Sequence, residues 1–186
     1  MVTAQSTTSV GQFNIDSFLF NPFDLYKFKK TEGGSNSGGA QRKQYYYQPV
    51  YKGIYYSFFL FPSGEYLADR KDKRLYSREG LEITTYKPLG KYRGDYLDPT
   101  EELIEFSARS NNINIPELAF VGMDSSYVTK KLGSRYTIKN NCCIYLHKDR
   151  VLVLGLQART IVWLKYIHLN QAYTLDKFPN EVLTKP

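Results

Sequence analysis

Histidine and cysteine are scarce in this chain, two of each among 186 residues, and there is a single tryptophan. Cys142 and Cys143 are neighbours, so on a strand their side chains point to opposite faces and cannot bridge each other. That excludes a disulfide framework and makes a reducing, cytoplasmic home the expectation. A zinc site needs paired ligands at both ends of a loop, a spacing that Cys142, Cys143, His147 and His168 do not offer. Cys143 and His147 could share a strand face, but four positions apart they stand too far from each other for a nucleophile and its base. Gly33-Gly34 and Gly38-Gly39 lack the Lys-Ser/Thr ending of a phosphate loop. No catalytic residue, metal or cofactor is expected.

Long apolar runs are missing too. The longest, Ile54 to Phe61, falls far short of the roughly 20 residues that span a bilayer. Residues 1–12 carry neither a basic start nor an apolar run, so no secretory signal is expected. The expectation is a soluble protein with no membrane partner.

Aromatic residues, by contrast, are abundant: seventeen Tyr and eleven Phe. Both favour pleated, half-buried surfaces, which tilts the reading toward strands. Hydrophobic content of 42% is enough for a real core. The net charge of +7 is unevenly spread. Residues 1–41 are neutral, 42–96 carry +5, 97–126 carry −5 and 127–186 carry +7. Two basic blocks flank an acidic one, which suits an anionic partner on one face.

The N-terminal part crowds Phe13, Ile15, Phe18, Leu19, Phe20, Phe23, Leu25, Tyr26 and Phe28 around Asn21-Pro22, where proline breaks any single helix. The run Gly33–Gly39 follows, a composition of flexible coil. Residues 1–41 therefore read as a non-globular arm and hinge whose segment Phe13–Phe28 docks on the domain itself or on a protein partner, and 42–186 as one β-rich domain. Strands are expected over Tyr51–Phe61, Glu65–Asp69 and Leu81–Tyr86, the first two joined by the turn Pro62-Ser63-Gly64. Asp98-Pro99-Thr100-Glu101 carries the signals of a helix start and predicts an amphipathic helix over 99–110, stopped at Asn111-Asn112. Leu118 to Val121 reads as a short strand. Tyr136–Ile138, Cys142–His147, Val151–Leu156 and Thr160–Leu169 read as an antiparallel meander, although 161–169 also fits a helical period. The fold class is α+β, predominantly an antiparallel sheet with one clear helix.

Short matches to known motifs stop early. Lys52, Gly53 and Phe59 fit the sheet motif of RNA-recognition domains, but Ile54, Tyr55 and Ser57 depart from it and the βαββαβ order is absent. No family is assigned. The strongest pattern is basic residues interleaved with tyrosine. Arg70, Lys71, Lys73, Arg74, Tyr76 and Arg78 form one group. Lys87, Lys91, Tyr92, Arg93 and Tyr96 form a second, and Lys130, Lys131, Arg135, Tyr136 and Lys139 a third. Lys and Arg neutralise phosphates and aromatic rings accept bases, so the expected role is a non-catalytic binding or assembly subunit touching RNA or single-stranded DNA. One alternative is a structural protein of a virion-like particle without nucleic-acid contact. Another is a metal-dependent nuclease built on Asp124, with Glu101, Glu102 and Glu105 as the nearest further acids.

Overall fold

Four C-terminal strands follow one another through tight turns whose residues accept positive φ. These are β4 (Thr137–Lys139), β5 (Cys142–His147), β6 (Arg150–Gln157) and β7 (Thr160–His168). Asn140 and Asn141, at φ 50° and 56°, link β4 to β5, the conformation of a mirror-image hairpin turn that asparagine tolerates. Lys148 and Ala158 take φ of 56° and 55° in the next two turns. Adjacent strands pair antiparallel throughout, as the short turns between them in the sequence predict.

The computed structural model describes residues 14–31, 53–60, 81–88, 95, 97–109, 119–178 and 180–183. Three further strands, β1 (Gly53–Leu60), β2 (Leu81–Pro88) and β3 (Glu102–Ala108), extend the meander. Together they give a seven-stranded antiparallel sheet in the order β1-β2-β3-β7-β6-β5-β4. The protein is thus mostly β with a few short helices.

Both sheet faces are covered. One carries Leu81, Ile83, Phe106, Cys143, Tyr145, Leu152, Leu154, Leu164 and Tyr166, under α1 (Ile15–Phe20) and α3 (Ser125–Leu132). The other carries Cys142, Ile144, Val151, Val153, Trp163 and Ile167, under Phe178, which follows the 3-10 turn Leu175–Lys177, and under Val182 and Leu183 of the 3-10 turn Asn180–Leu183. Cys142 and Cys143 lie on opposite faces, free and buried, as their adjacency requires. Phe106 and Tyr166 are cross-strand partners with stacked rings, 5.1 Å apart and 11° from parallel. Such a pair adds about 0.5–1.5 kcal/mol beyond its buried area. The Tyr166 hydroxyl donates to the Leu19 carbonyl at 3.0 Å, which fastens α1 to the sheet.

α1 starts where Asn14 accepts from the amides of Asp16 and Ser17, and ends at Asn21 ahead of Pro22. α2 (Leu25–Thr31) begins with the Asp24 carboxylate accepting from the Lys27 amide at 2.9 Å. Lys29 of α2 reaches 2.6 Å to Glu101, whose side chain is 1% exposed. The Thr85 hydroxyl donates to the same carboxylate, and the Lys87 ammonium stands 3.8 Å away while donating to the Asp95 carbonyl. The mostly buried cluster ties α2 to β2 and to the turn before β3.

Three expectations are corrected. The helix over 99–110 is instead a turn followed by strand β3. Asp98 does cap, but it caps a turn: its carboxylate accepts from the Thr100 amide at 2.8 Å and from the Thr100 hydroxyl, and the Glu101 amide donates to the Asp98 carbonyl. Residues 104–108 are all buried between β2 and β7, so cross-strand pairing outweighs the local helix signals. Over the supposed strand 118–121, residues 119–122 form a turn, whose Gly122 amide donates to the Ile161 carbonyl at 2.7 Å. In the arm expected to be non-globular, 14–31 are folded, with Ile15, Phe18 and Leu19 in the core and Phe23 and Phe28 packed against it. The returning strand Glu65–Asp69 lies outside the described residues.

Candidate nucleic-acid interface

The third basic group lies on α3 and the edge of the sheet. α3 is bounded by signals legible in hindsight, an Asp124 N-cap and Gly133 at φ 94° beyond its C-terminus. Asp124 accepts from the Ser126 amide at 2.8 Å and from the Ser126 hydroxyl, and Arg159 lies 3.4 Å from its second oxygen. These contacts, Ser126 first, hold its carboxyl below the ordinary range.

Val128 and Leu132 face the core, which turns Tyr127, Lys130 and Lys131 outward. Three and four positions apart on a helix, these three share one face. Tyr127 is 60% exposed. Lys131 also places its ammonium over the Phe120 ring, 5.4 Å from the centroid, while the residue as a whole stays exposed. Past Gly133 the chain enters β4, one edge of the sheet. Tyr136 leans on Tyr145 at 5.7 Å, Ile138 is 57% exposed, and the exposed Arg135 precedes them. Tyr145 donates to the Gly133 carbonyl at 3.3 Å, which sets the turn between helix and edge strand.

Arg135 meets Asp16 of α1 at 2.5 Å, and the other Asp16 oxygen lies 3.0 Å from His147 Nδ1 at the end of β5. The hydrogen bond from Arg135 holds the Asp16 carboxyl below its usual range against a smaller opposing effect of burial. The sequence gives no hint of this contact, which joins segments far apart in the chain.

The structure brings Lys130, Lys131 and Arg135 into one stretch of surface. Arg70, Lys71, Lys73, Arg74, Tyr76, Arg78, Lys91, Tyr92 and Arg93 lie outside the described residues. Lys87, grouped in the sequence with the second cluster, is buried in the ion cluster with Glu101. The acids named beside Asp124 do not converge on it: Glu101 belongs to the cluster with Lys29, and Glu105 is buried in β3. Among the described residues no group of three metal-ligating side chains occurs. Burial pushes the Cys143 thiol up to about 12 and raises that of Cys142, the opposite of what a nucleophile needs. Among the described residues no helix is long and apolar enough to cross a membrane.

Comparisons with known proteins add little. No protein-family model matches the chain, and no curated protein matches it in sequence. Among solved structures, an extracellular protein containing an SCP domain from Bacillus anthracis str. Ames aligns at 8% identity with a TM-score of 0.38. The alignment covers 90% of this chain and 49% of that one, so the chain spans about half the length of the structure it matches. A likeness of that degree assigns neither fold family nor function.

Proposed function

We propose that this protein is a non-catalytic binding subunit acting in the cytoplasm, and that it contacts RNA or single-stranded DNA through basic, tyrosine-containing surfaces. The observation that carries the reading is the outward face of α3. Tyr127, Lys130 and Lys131 stand together there, and the surface continues through Arg135 and Tyr136 to the edge strand. Ammonium and guanidinium groups neutralise phosphates, and an exposed phenol ring offers a stacking platform that any base can use. The groups at 70–78 and 91–93 belong to the same proposal. The two buried thiols, both free, favour a reducing compartment.

The test is binding of a labelled single-stranded oligonucleotide over a salt series. Affinity should fall steeply with salt, with a slope of about 0.7 per phosphate contacted. Lys130→Glu with Lys131→Glu should lower affinity and flatten that slope. Tyr127→Ala should cost about 1–3 kcal/mol per stacked base while leaving the slope unchanged. Absence of binding at low salt, where nonspecific attraction is strongest, refutes the reading.

A second reading, assembly with a protein partner, rests on Phe20. Its neighbours Phe18 and Leu19 are buried, yet Phe20 is 76% exposed, and Tyr26 of α2 is exposed as well. The Arg150 guanidinium lies 5.9 Å from the Phe20 ring and leaves it open to solvent. Within the arm, Phe20 and Tyr26 are therefore the described aromatic positions a partner would touch. Co-purification with the wild type and not with Phe20→Asp would support this reading, and equal recovery of the same proteins with both would refute it.

A further inference from the structure

Asp16 occupies a position that an anion from elsewhere could take. Arg135 and His147 converge on its two carboxylate oxygens, Arg135 on one at 2.5 Å and His147 Nδ1 on the other at 3.0 Å. All three side chains remain open to solvent, at 66% for Arg135, 36% for Asp16 and 39% for His147. A guanidinium and an imidazole N–H aimed at two oxygens of one anion suit a phosphate as well as a carboxylate. We propose that Arg135 and His147 form an anion-binding fork, held in the free protein by the Asp16 carboxylate, and that a backbone phosphate of a bound single-stranded nucleic acid displaces it.

Three features make the exchange inexpensive. An exposed ion pair is weak and screened by salt, so little is lost when it opens. α1 does not depend on it, because Ile15, Phe18 and Leu19 hold the helix in the core and Tyr166 bonds the Leu19 carbonyl. Asp16 is not the helix cap either, since Asn14 fills that role. The carboxylate can therefore swing aside while the helix stays docked. The fork also adjoins the surface already described, because Arg135 lies between α3 and Tyr136. A strand lying along Lys130 and Lys131 meets it next.

The inference rests on the nucleic-acid reading, and the experiment separates the two. A labelled single-stranded oligonucleotide is titrated at several salt concentrations into the wild type and into Asp16→Asn, Asp16→Asn with Arg135→Gln, and Asp24→Asn. Asp24→Asn adds the same net charge away from the fork and keeps a side chain able to accept from the Lys27 amide. Asp16→Asn should bind severalfold tighter, because the same phosphate no longer has to displace a carboxylate from the fork. Arg135→Gln in the same chain should abolish the gain, and Asp24→Asn should not reproduce it. Thermal midpoints check that every variant is folded. An unchanged affinity for Asp16→Asn overturns the inference, and so does an equal gain from Asp24→Asn. If no variant binds the oligonucleotide at low salt, the nucleic-acid reading falls. Inorganic phosphate then still decides on the fork, through the His147 ring resonances. These should shift at lower phosphate concentration in Asp16→Asn than in the wild type, and identical titrations sink the fork.

Discussion

Trp163 of β7 occupies the space that a side chain on Gly155, its cross-strand partner in β6, would need. A Cβ built at Gly155 would lie 1.9 Å from the indole Cε2 and 2.1 Å from its Nε1. The register shifts just beyond this pair, between Gly155 and Leu156, so Val162 is the extra residue in β7. Glycine here serves close approach, and the indole packs among Cys142, Ile144 and Val153 on the face under the C-terminal turns.

Gly155→Ala should therefore destabilise the protein by about 1–3 kcal/mol, the usual cost of forcing a methyl group into a packed core. Trp163→Leu in the same chain should recover part of the loss by vacating that space. Denaturant midpoints for the two single variants and the double variant make the check, and strict additivity would count against the steric account.

Glu101→Gln should be costly for a different reason. It removes the negative charge that sits against Lys29 and Lys87 in a largely buried site. Breaking a buried ion pair by removing one partner costs about 3–5 kcal/mol, because a buried charge loses a counter-charge. Urea unfolding measures the loss. Hydrogen exchange should show the damage at α2, whose Lys29 ties the helix to the sheet. A loss below about 1 kcal/mol with unchanged exchange in 25–31 would reject the tether.

His168 sets a pH dependence. Burial is the main cause that lowers its pKa, with the Arg150 charge beside it, while Asp149 at 3.3 Å pulls the other way. The unfolded chain takes up the proton near the ordinary value of about 6.5, but the folded protein takes it up only at lower pH. Stability should therefore be full above about pH 6.5 and fall as pH drops below it, levelling off beneath the folded pKa. Asp16, whose pKa is also lowered, gives a separate loss at more acid pH, below its ordinary 3.8. Midpoints in urea between pH 8 and 5 should fall for the wild type and stay flatter for His168→Gln. Parallel curves would assign the dependence to another group.

Where the sequence and the fold agree, the reason is local. Strands β5 to β7 carry apolar residues on both faces, and Asn140-Asn141, Lys148-Asp149 and Ala158-Arg159 mark the strand ends, so β5 to β7 can be read almost residue by residue. The strand β2 could be read likewise from Leu81 to Tyr86. A helix over 161–169 is the alternative because a short, largely apolar run fits either period. Pairing on both sides, to β3 and β6, decided for the strand. The third basic group was legible as a cluster because it is contiguous in the chain.

Nearest-neighbour chemistry thus determined the hairpins, the opposite faces of Cys142 and Cys143, and the clustering of Lys130, Lys131 and Arg135. Only the tertiary structure decided that 102–108 is a strand. Asp98-Pro99-Thr100-Glu101 can open a helix or close a turn at similar cost, and burial between β2 and β7 selects the turn. Tertiary packing likewise put Phe18 and Leu19 in the core, joined Lys29 to Glu101 and placed Asp16 against Arg135. These contacts link segments distant in the chain, and their energy exists only once the sheet has assembled the surfaces that make them.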